Sequence, residues 1–289
     1  MSRLVGSALR EIVADAAAVG RGLGLRVEEP VVLKESLNVL VWLRPSPVVA
    51  RVQVRTSLVR LEAVLTDSLA LASWLAAAGL PVSPPADDVD PGPHVGATGR
   101  PMTFWRHLAI LDEQPDPAEV GRSLAQLHAA AAGYEAPLRH VGPLEEIDRL
   151  AALVADRLPD EAARIRSLLA RIVVPDLPVQ ALHGDAHLGN VVLTDRGLAW
   201  LDWEESWRGP VAWDLACLDH RRRVLGELIP EIERAFEGYG RYDREAVEAW
   251  TPVVALWAAS WGIVGMAEGL MWGVNARRRL AWLEARLPG

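Results

Sequence analysis

Between Val179 and Glu204 the chain alternates short apolar runs with polar turns, and that alternation leaves few folds open. Val179-Gln180-Ala181-Leu182 runs into the loop His183-Gly184-Asp185-Ala186-His187-Leu188-Gly189-Asn190, and Val191-Val192-Leu193 runs out of it. Asp195-Arg196-Gly197 has the chemistry of a tight hairpin turn, and Leu198-Ala199-Trp200-Leu201 returns toward the loop. This pairing is expected to bring Asp202 back beside Asn190 and to leave Asp185 at the loop tip. A carboxylate and an amide oxygen suit Mg²⁺, a hard cation that binds through few protein oxygens plus substrate phosphates. Asp185 is not needed for the metal and is available to accept a proton from an attacking hydroxyl. Metal ligands, an orienting base and little covalent chemistry are what phosphoryl transfer asks of a protein. A merely hydrogen-bonded turn would leave Asn190 and Asp202 unexplained.

At these residues the chain resembles the aminoglycoside phosphotransferase and choline kinase superfamily, small-molecule relatives of protein kinases. That family's loop reads His-Gly-Asp-x-His-x-x-Asn, and every fixed position is matched from His183 to Asn190. Leu201-Asp202-Trp203 is similar to its metal-binding strand end, and Gly209-Pro210-Val211-Ala212-Trp213-Asp214-Leu215-Ala216 to the motif that follows. The resemblance implies an α+β, two-lobed, protein-kinase-like fold. A small strand-rich lobe over 1–106 would bind nucleotide, and a larger, mostly helical lobe over 107–289 would carry the catalytic loop and acceptor site. It further implies that Asp185 is the catalytic base, that Asn190 and Asp202 hold Mg²⁺, and that His183 braces the loop. The implied cofactors are ATP (GTP being the alternative) and Mg²⁺. The implied partner is a small-molecule hydroxyl acceptor: an aminoglycoside, an amino sugar, a choline-like alcohol or another alcohol. His187 is expected to order the loop through hydrogen bonds, and Asp214, near a helix start, to tie that helix to the loop.

The formal net charge of −8 argues against a nucleic-acid partner and is compatible with a cationic acceptor. Cys217 is the only cysteine, so neither an internal disulfide nor a multi-cysteine metal site is available. Glu11 and Asp15 interrupt the apolar positions near the N-terminus, which lacks the continuous run of a secretory signal. The apolar stretch Val253–Ala267 falls short of the roughly 20 residues a spanning helix needs. A core helix, no membrane partner and a cytoplasmic location are therefore expected. The sequence sets no oligomeric state.

Periodicity predicts an amphipathic helix over Leu4–Ala18 ended by Gly20, Gly22 and Gly24, then strands over Pro30–Ser36, Asn38–Leu43 and Val48–Val52. A helix over Ser57–Ala78, a proline-rich loop over Pro81–Pro93 and a strand over Pro101–Trp105 follow. Beyond His107, helices are expected over Pro117–Ala132, Leu144–Arg157, Asp160–Ile172, Pro210–Leu225, Pro230–Tyr239 and Arg244–Arg286. The last is expected to break near Pro252 and at its glycines.

In kinase-like folds a strand lysine grips the nucleotide phosphates and pairs with a glutamate on the next helix. The equivalent strand position here is Arg51, which keeps the charge with a different geometry. Lys34, the chain's only lysine, is the competing candidate. Glu62, the only glutamate on the Ser57–Ala78 helix, sits early, and Asp67-Ser68 stands where relatives carry the glutamate. No P-loop motif is present. The turn after Lys34 has no glycine, so Ser36 and Asn38 would help cover phosphates, with Phe104 and Trp105 as further nucleotide contacts. Trp250, Trp257 and Trp261 recur at helical spacing and read as core. Trp203 and Trp207, with Glu204 and Glu205, are candidates for an acidic, aromatic wall facing the acceptor. The rival reading is a catalytically idle, kinase-like nucleotide-binding protein, which the arginine and the missing helix glutamate favour.

Overall fold

Side-chain alternation along three short strands decides how the first half of the chain folds. The computed structural model describes residues 6–54, 62–269 and 273–287. In chain order they form α1 (Gly6–Gly22), β1 (Val27–Glu35), β2 (Asn38–Pro45), β3 (Val48–Gln53), α2 (Glu62–Ala77), β4 (His94–Val95), β5 (Pro101–Arg106), α3 (Pro117–Ala131), α4 (Pro143–Val154), α5 (Pro159–Leu169), β6 (Gln180–Ala181), β7 (Val191–Thr194), β8 (Gly197–Trp200), β9 (Arg208–Gly209), α6 (Val211–His220), α7 (Ile229–Tyr239), α8 (Arg244–Ala267) and α9 (Gly273–Glu284). The chain is a mixed α and β protein with a small antiparallel sheet and many helices. It divides into two units, Arg3–Gln114 with Val192–Glu204, and Met1–Ser2 and Pro115–Val191 with Glu205–Gly289. The first unit thus takes a distant hairpin into itself, where a single division after residue 106 was expected.

In the first unit an antiparallel sheet runs in the order β1-β2-β3-β5-β4. Val39, Val41, Leu43, Ala50, Val52, Met102 and Phe104 share one buried face and pack with Ile12, Ala16 and Ala17 of α1. The strand period of two puts the intervening residues on the opposite face, where Leu40, Arg51 and Thr103 are register partners in one row. α1 runs through Gly20 instead of stopping there. A Cβ at Gly20 would meet the Leu43 side chain at 2.8 Å, so this glycine serves close packing, and Gly24, at φ +93°, makes the turn. The β7–β8 hairpin joins the unit through backbone hydrogen bonds from Leu111 N to Leu193 O (2.9 Å), Ser83 N to Trp200 O (2.8 Å) and Trp200 N to Pro81 O (2.8 Å). Residues 57–61 of the expected second helix, and residues 4–5 of the first, lie outside the described residues.

The second unit is helical apart from the short β6–β9 pair. Asp116 caps α3, accepting from Ala118 N, and Asp243 caps α8, accepting from Ala246 N at 3.0 Å. α8 packs against α4, α6 and α9. It does not break at Pro252; the helix continues for four more turns to Ala267. Proline removes the N–H that would serve the Glu248 carbonyl, while the Thr251 hydroxyl bonds the Val247 carbonyl at 2.9 Å. The stop comes at Gly269, φ +75°. α8 is long and apolar enough to cross a membrane by length and composition, but Val253, Val254, Ala255, Leu256, Ile263 and Val264 are all 0–1% exposed within the unit, as a core helix requires. The expected Pro210–Leu225 helix divides into α6 and a π-helical turn over Arg221–Leu225, ended by Gly226 at φ +67°.

Candidate functional site

The polar face of the first unit's sheet lines a cavity of about 530 Å³, together with Leu65 and Ser68 of α2 and Leu201–Glu204 at the end of the hairpin. Arg51 is its charged floor. The guanidinium reaches Asp202 Oδ1 at 2.5 Å and Glu204 Oε1 at 2.7 Å, and its Nε donates to Glu204 Oε2 at 3.1 Å. Burial opposes the charge on Arg51, but the two carboxylates outweigh it and hold the group firmly protonated. Asn38 Nδ2 donates to the same Glu204 Oε1 at 2.9 Å. Asp202 is held at φ +70°, a conformation that costs a non-glycine residue energy and that collects at functional positions.

These contacts correct several expectations. Asn38 is committed to Glu204 and does not offer its amide as a phosphate cover. Glu204 is a partner of Arg51, and Trp203, 2% exposed with its Nε1 donating to Trp200 O, lines the first unit's cavity. Phe104 points into the core beside Met102, whereas Thr103 and Trp105 face the cavity, as alternation along β5 requires. Ser36 shapes the β1–β2 turn, its backbone N–H donating to Asn38 O at 2.9 Å. Lys34 is exposed and does not line the cavity, though its neighbour Leu33 does. Of the two candidates, Arg51 and not Lys34 is delivered to the pocket by strand geometry, and Arg106 at the end of β5 lines it as well.

In the second unit the loop 183–190 is fixed through its backbone. Asp214, fully buried on α6, accepts from His183 N at 3.0 Å and Gly184 N at 2.9 Å. Gly184 is at φ +89°, and a Cβ there would collide with the Glu205 carbonyl, so no other residue fits. Trp213 Nε1 donates to Gly184 O at 2.7 Å. Behind Asp214 stand His128, 3.1 Å from its carboxylate, and Tyr239, 2.9 Å from the other ring nitrogen. Burial and the Asp214 charge push the Tyr239 hydroxyl up to about 12, so it keeps its proton. His128 and Tyr239 carried no local signal in the sequence, since they lie 86 and 25 residues from Asp214 on other helices.

At the loop tip, Asp185 N donates to His183 Nδ1 at 3.2 Å. Asn190 Nδ2 donates to Asp185 O at 2.9 Å and Asp185 Oδ2 at 3.1 Å, so its amide oxygen is the atom suited to a metal. His187 Nδ1 accepts from Gly189 N at 3.0 Å, and its Nε2 lies 3.5 Å from Asp185 Oδ2. Burial would raise the Asp185 carboxyl, but His187 first, then His183 and His220, hold it well below the usual carboxylate range. The group is an ionised hydrogen-bond acceptor at neutral pH. Cys217, beneath the loop, is buried with its thiol pushed up, so it is inert core as expected.

A second polar cluster in this unit joins His140, Glu146 and Glu205. His140 Nε2 lies 3.8 Å from Glu146 Oε1 and 3.7 Å from Glu205 Oε2, and Trp257 Nε1 donates to Glu146 Oε2 at 2.6 Å. Gly142 N donates to His140 Nδ1 at 3.0 Å, which leaves the ring proton on Nε2, facing the carboxylates. The ring therefore presents a donor and not a ligand lone pair, and the trio is unsuited to a metal. Trp207, Trp213 and Trp257 wall the cluster, with Trp207 and Trp213 edge to face at 6.0 Å. Trp207 and Glu205 thus do come together, with partners on other helices that local pattern could not supply.

Residues 34–250 match the phosphotransferase enzyme family. No curated protein matches the chain by sequence. Among solved structures it is similar to the choline kinase LicA from Streptococcus pneumoniae, with 17% identity, a TM-score of 0.68, and 96% of this chain and 99% of that one covered. A choline/ethanolamine kinase family protein from Mesorhizobium loti gives 20% identity and a TM-score of 0.61 over 96% and 94% of the two chains. The amicoumacin kinase hAmiN, solved in complex with AMP-PNP, Ca²⁺ and Ami, gives 10% identity and a TM-score of 0.65 over 98% and 97%. The fold is the kinase-like one that the loop motif implied.

Proposed function

Because the chain belongs to the phosphotransferase enzyme family, we propose that it moves the γ-phosphoryl group of a nucleoside triphosphate, ATP in the first instance, to a hydroxyl of a small molecule. The observation that carries this reading is the Asp185 carboxylate, kept ionised and aimed by Asn190 on a loop whose backbone is pinned by Asp214. An ionised, oriented carboxylate can accept a hydrogen bond from an acceptor hydroxyl, turn its lone pair toward the phosphorus and take the proton as the bond forms. The nucleotides seen with hAmiN and LicA support nucleotide as the donor. The cavity of the first unit would hold it, with Arg51 gripping phosphate. The Asp202 carboxylate and the Asn190 amide oxygen are each donors of the kind Mg²⁺ takes, and each would serve as a ligand to it. When bound, the ion supplies neutralisation of the phosphate oxygens.

The acceptor is a small alcohol, and the choline and amicoumacin kinases among the similar structures set the range to try. Asp185→Asn is expected to lower kcat about 10²–10⁴-fold while nucleotide affinity stays near wild type. An amino-alcohol panel followed by ADP release would identify the acceptor, and near-normal turnover by the Asn variant would reject Asp185 as the base. An idle nucleotide-binding protein is the second reading, favoured by Arg51 closing on the very carboxylate that would hold the metal.

A further inference from the structure

We propose that Glu204 is the positioning residue of the arginine grip: it keeps Arg51 in the cavity when Asp202 turns to the metal, and so takes the place of the helix glutamate used by kinase-like folds. The inference rests on the nucleotide reading above. Arg51 faces two carboxylates that are not equivalent. Asp202 takes one contact, from Nη2 at 2.5 Å, and its side chain is 28% exposed. Glu204 takes two, at 2.7 and 3.1 Å through different nitrogens, and its side chain is only 8% exposed. Glu204 is held from a further side by Asn38 Nδ2 at 2.9 Å. A bidentate guanidinium–carboxylate pair with a third donor is geometrically fixed, whereas a single contact to a partly exposed carboxylate exchanges readily. The contact that yields to a metal-bound triphosphate is therefore the one to Asp202, with the guanidinium anchored throughout.

α2 offers no substitute. The α2 side chains that line the cavity are Leu65 and Ser68, neither of them anionic. Asn38 opens β2 and Arg51 is on β3, so Glu204 also ties the metal-bearing hairpin to both strands of the sheet.

The test is a double-mutant cycle on the full chain, with AMP-PNP affinity by titration calorimetry with and without Mg²⁺, beside nucleotide KM, acceptor KM and kcat on the acceptor that the panel identifies, for wild type, Arg51→Ala, Glu204→Gln and the double variant. Glu204→Gln is expected to raise nucleotide KM about tenfold and leave acceptor KM unchanged, and to add almost nothing on the Arg51→Ala background. Glu204→Asp, which keeps the charge, should recover part of the loss. It also serves as the readout if the Gln variant does not fold. Additive losses, or a raised Mg²⁺ requirement that persists without Arg51, would overturn the proposal, since Glu204 would then act on the metal or on the fold. Wild-type nucleotide KM in Arg51→Ala sinks the nucleotide reading and this proposal together.

Discussion

In the first unit a buried guanidinium is held by two carboxylates, one of which an amide also holds; in the second a buried carboxylate is held by two backbone N–H groups and a histidine. The first assembly is made of side chains from β3, the β2 start and the hairpin end, and one of its carboxylates is partly solvated. Such an assembly can trade one partner for another at modest cost. The second is anchored to main chain that has no rotamers to change, around a carboxylate with no exposed surface. The difference separates two jobs within one kind of chemistry. On the proposed function, the group that would release and regrip a phosphate is built from exchangeable ion pairs, and the group that would hold an orientation is built on backbone.

The contrast can be broken at four points. Asp185→Asn should cost the most activity, with little change in melting temperature, because the loop keeps its backbone anchors. Asp214→Ala should instead show as stability: two buried N–H groups and His128 lose their partner, about 3–5 kcal/mol, read as a fall in denaturant midpoint. A midpoint within experimental error of wild type would show that the anchoring is dispensable.

Acid should weaken the second unit through His220. Burial, with Arg279 adding to it, pushes this histidine down to about 4 from an ordinary value near 6.5. The unfolded chain therefore takes up a proton that the folded chain refuses. The stabilisation is fully present above about pH 6.5 and is lost as pH falls through about 4, on the order of 3 kcal/mol in all. His107 in the first unit shifts in the same direction, also through burial. His220→Gln should flatten most of the slope of stability against pH between 4 and 6.5, and an unaltered slope would assign it elsewhere.

The smallest effect is a comparison of two basic residues. Arg51→Ala should raise nucleotide KM tenfold or more, and Lys34→Ala should leave it within a factor of about two. Equal defects would mean that the exposed lysine reaches the phosphates after all.

The same contrast explains what could be read from the chain alone. The candidate catalytic loop is contiguous: His183, Asp185, His187 and Asn190 lie within eight residues, and Asp214 follows in a motif of its own. The arginine centre joins positions 38, 51, 202 and 204, so its pairing depends on sheet register and not on spacing. That is why Asn38 was read as a phosphate cover and Glu204 as an acceptor contact. Phe104 and Trp105 were assigned together because alternation separates neighbours but does not say which face is the core. Strand and helix types followed from periodicity, while ends set by packing, such as α1 passing Gly20 and α8 passing Pro252, did not.

The discontinuous first unit has a consequence for how the chain is made. The backbone groups of Ser83, Pro81 and Leu111 that pair with Trp200 and Leu193 leave the ribosome before their partners, with all of Pro115–Val191 still to be translated. At about 5–20 residues per second that wait lasts roughly four to fifteen seconds. During it these three backbone groups lack the partners they will have in the fold, and a message cut short after Gln114 would release a protein that can never pair them.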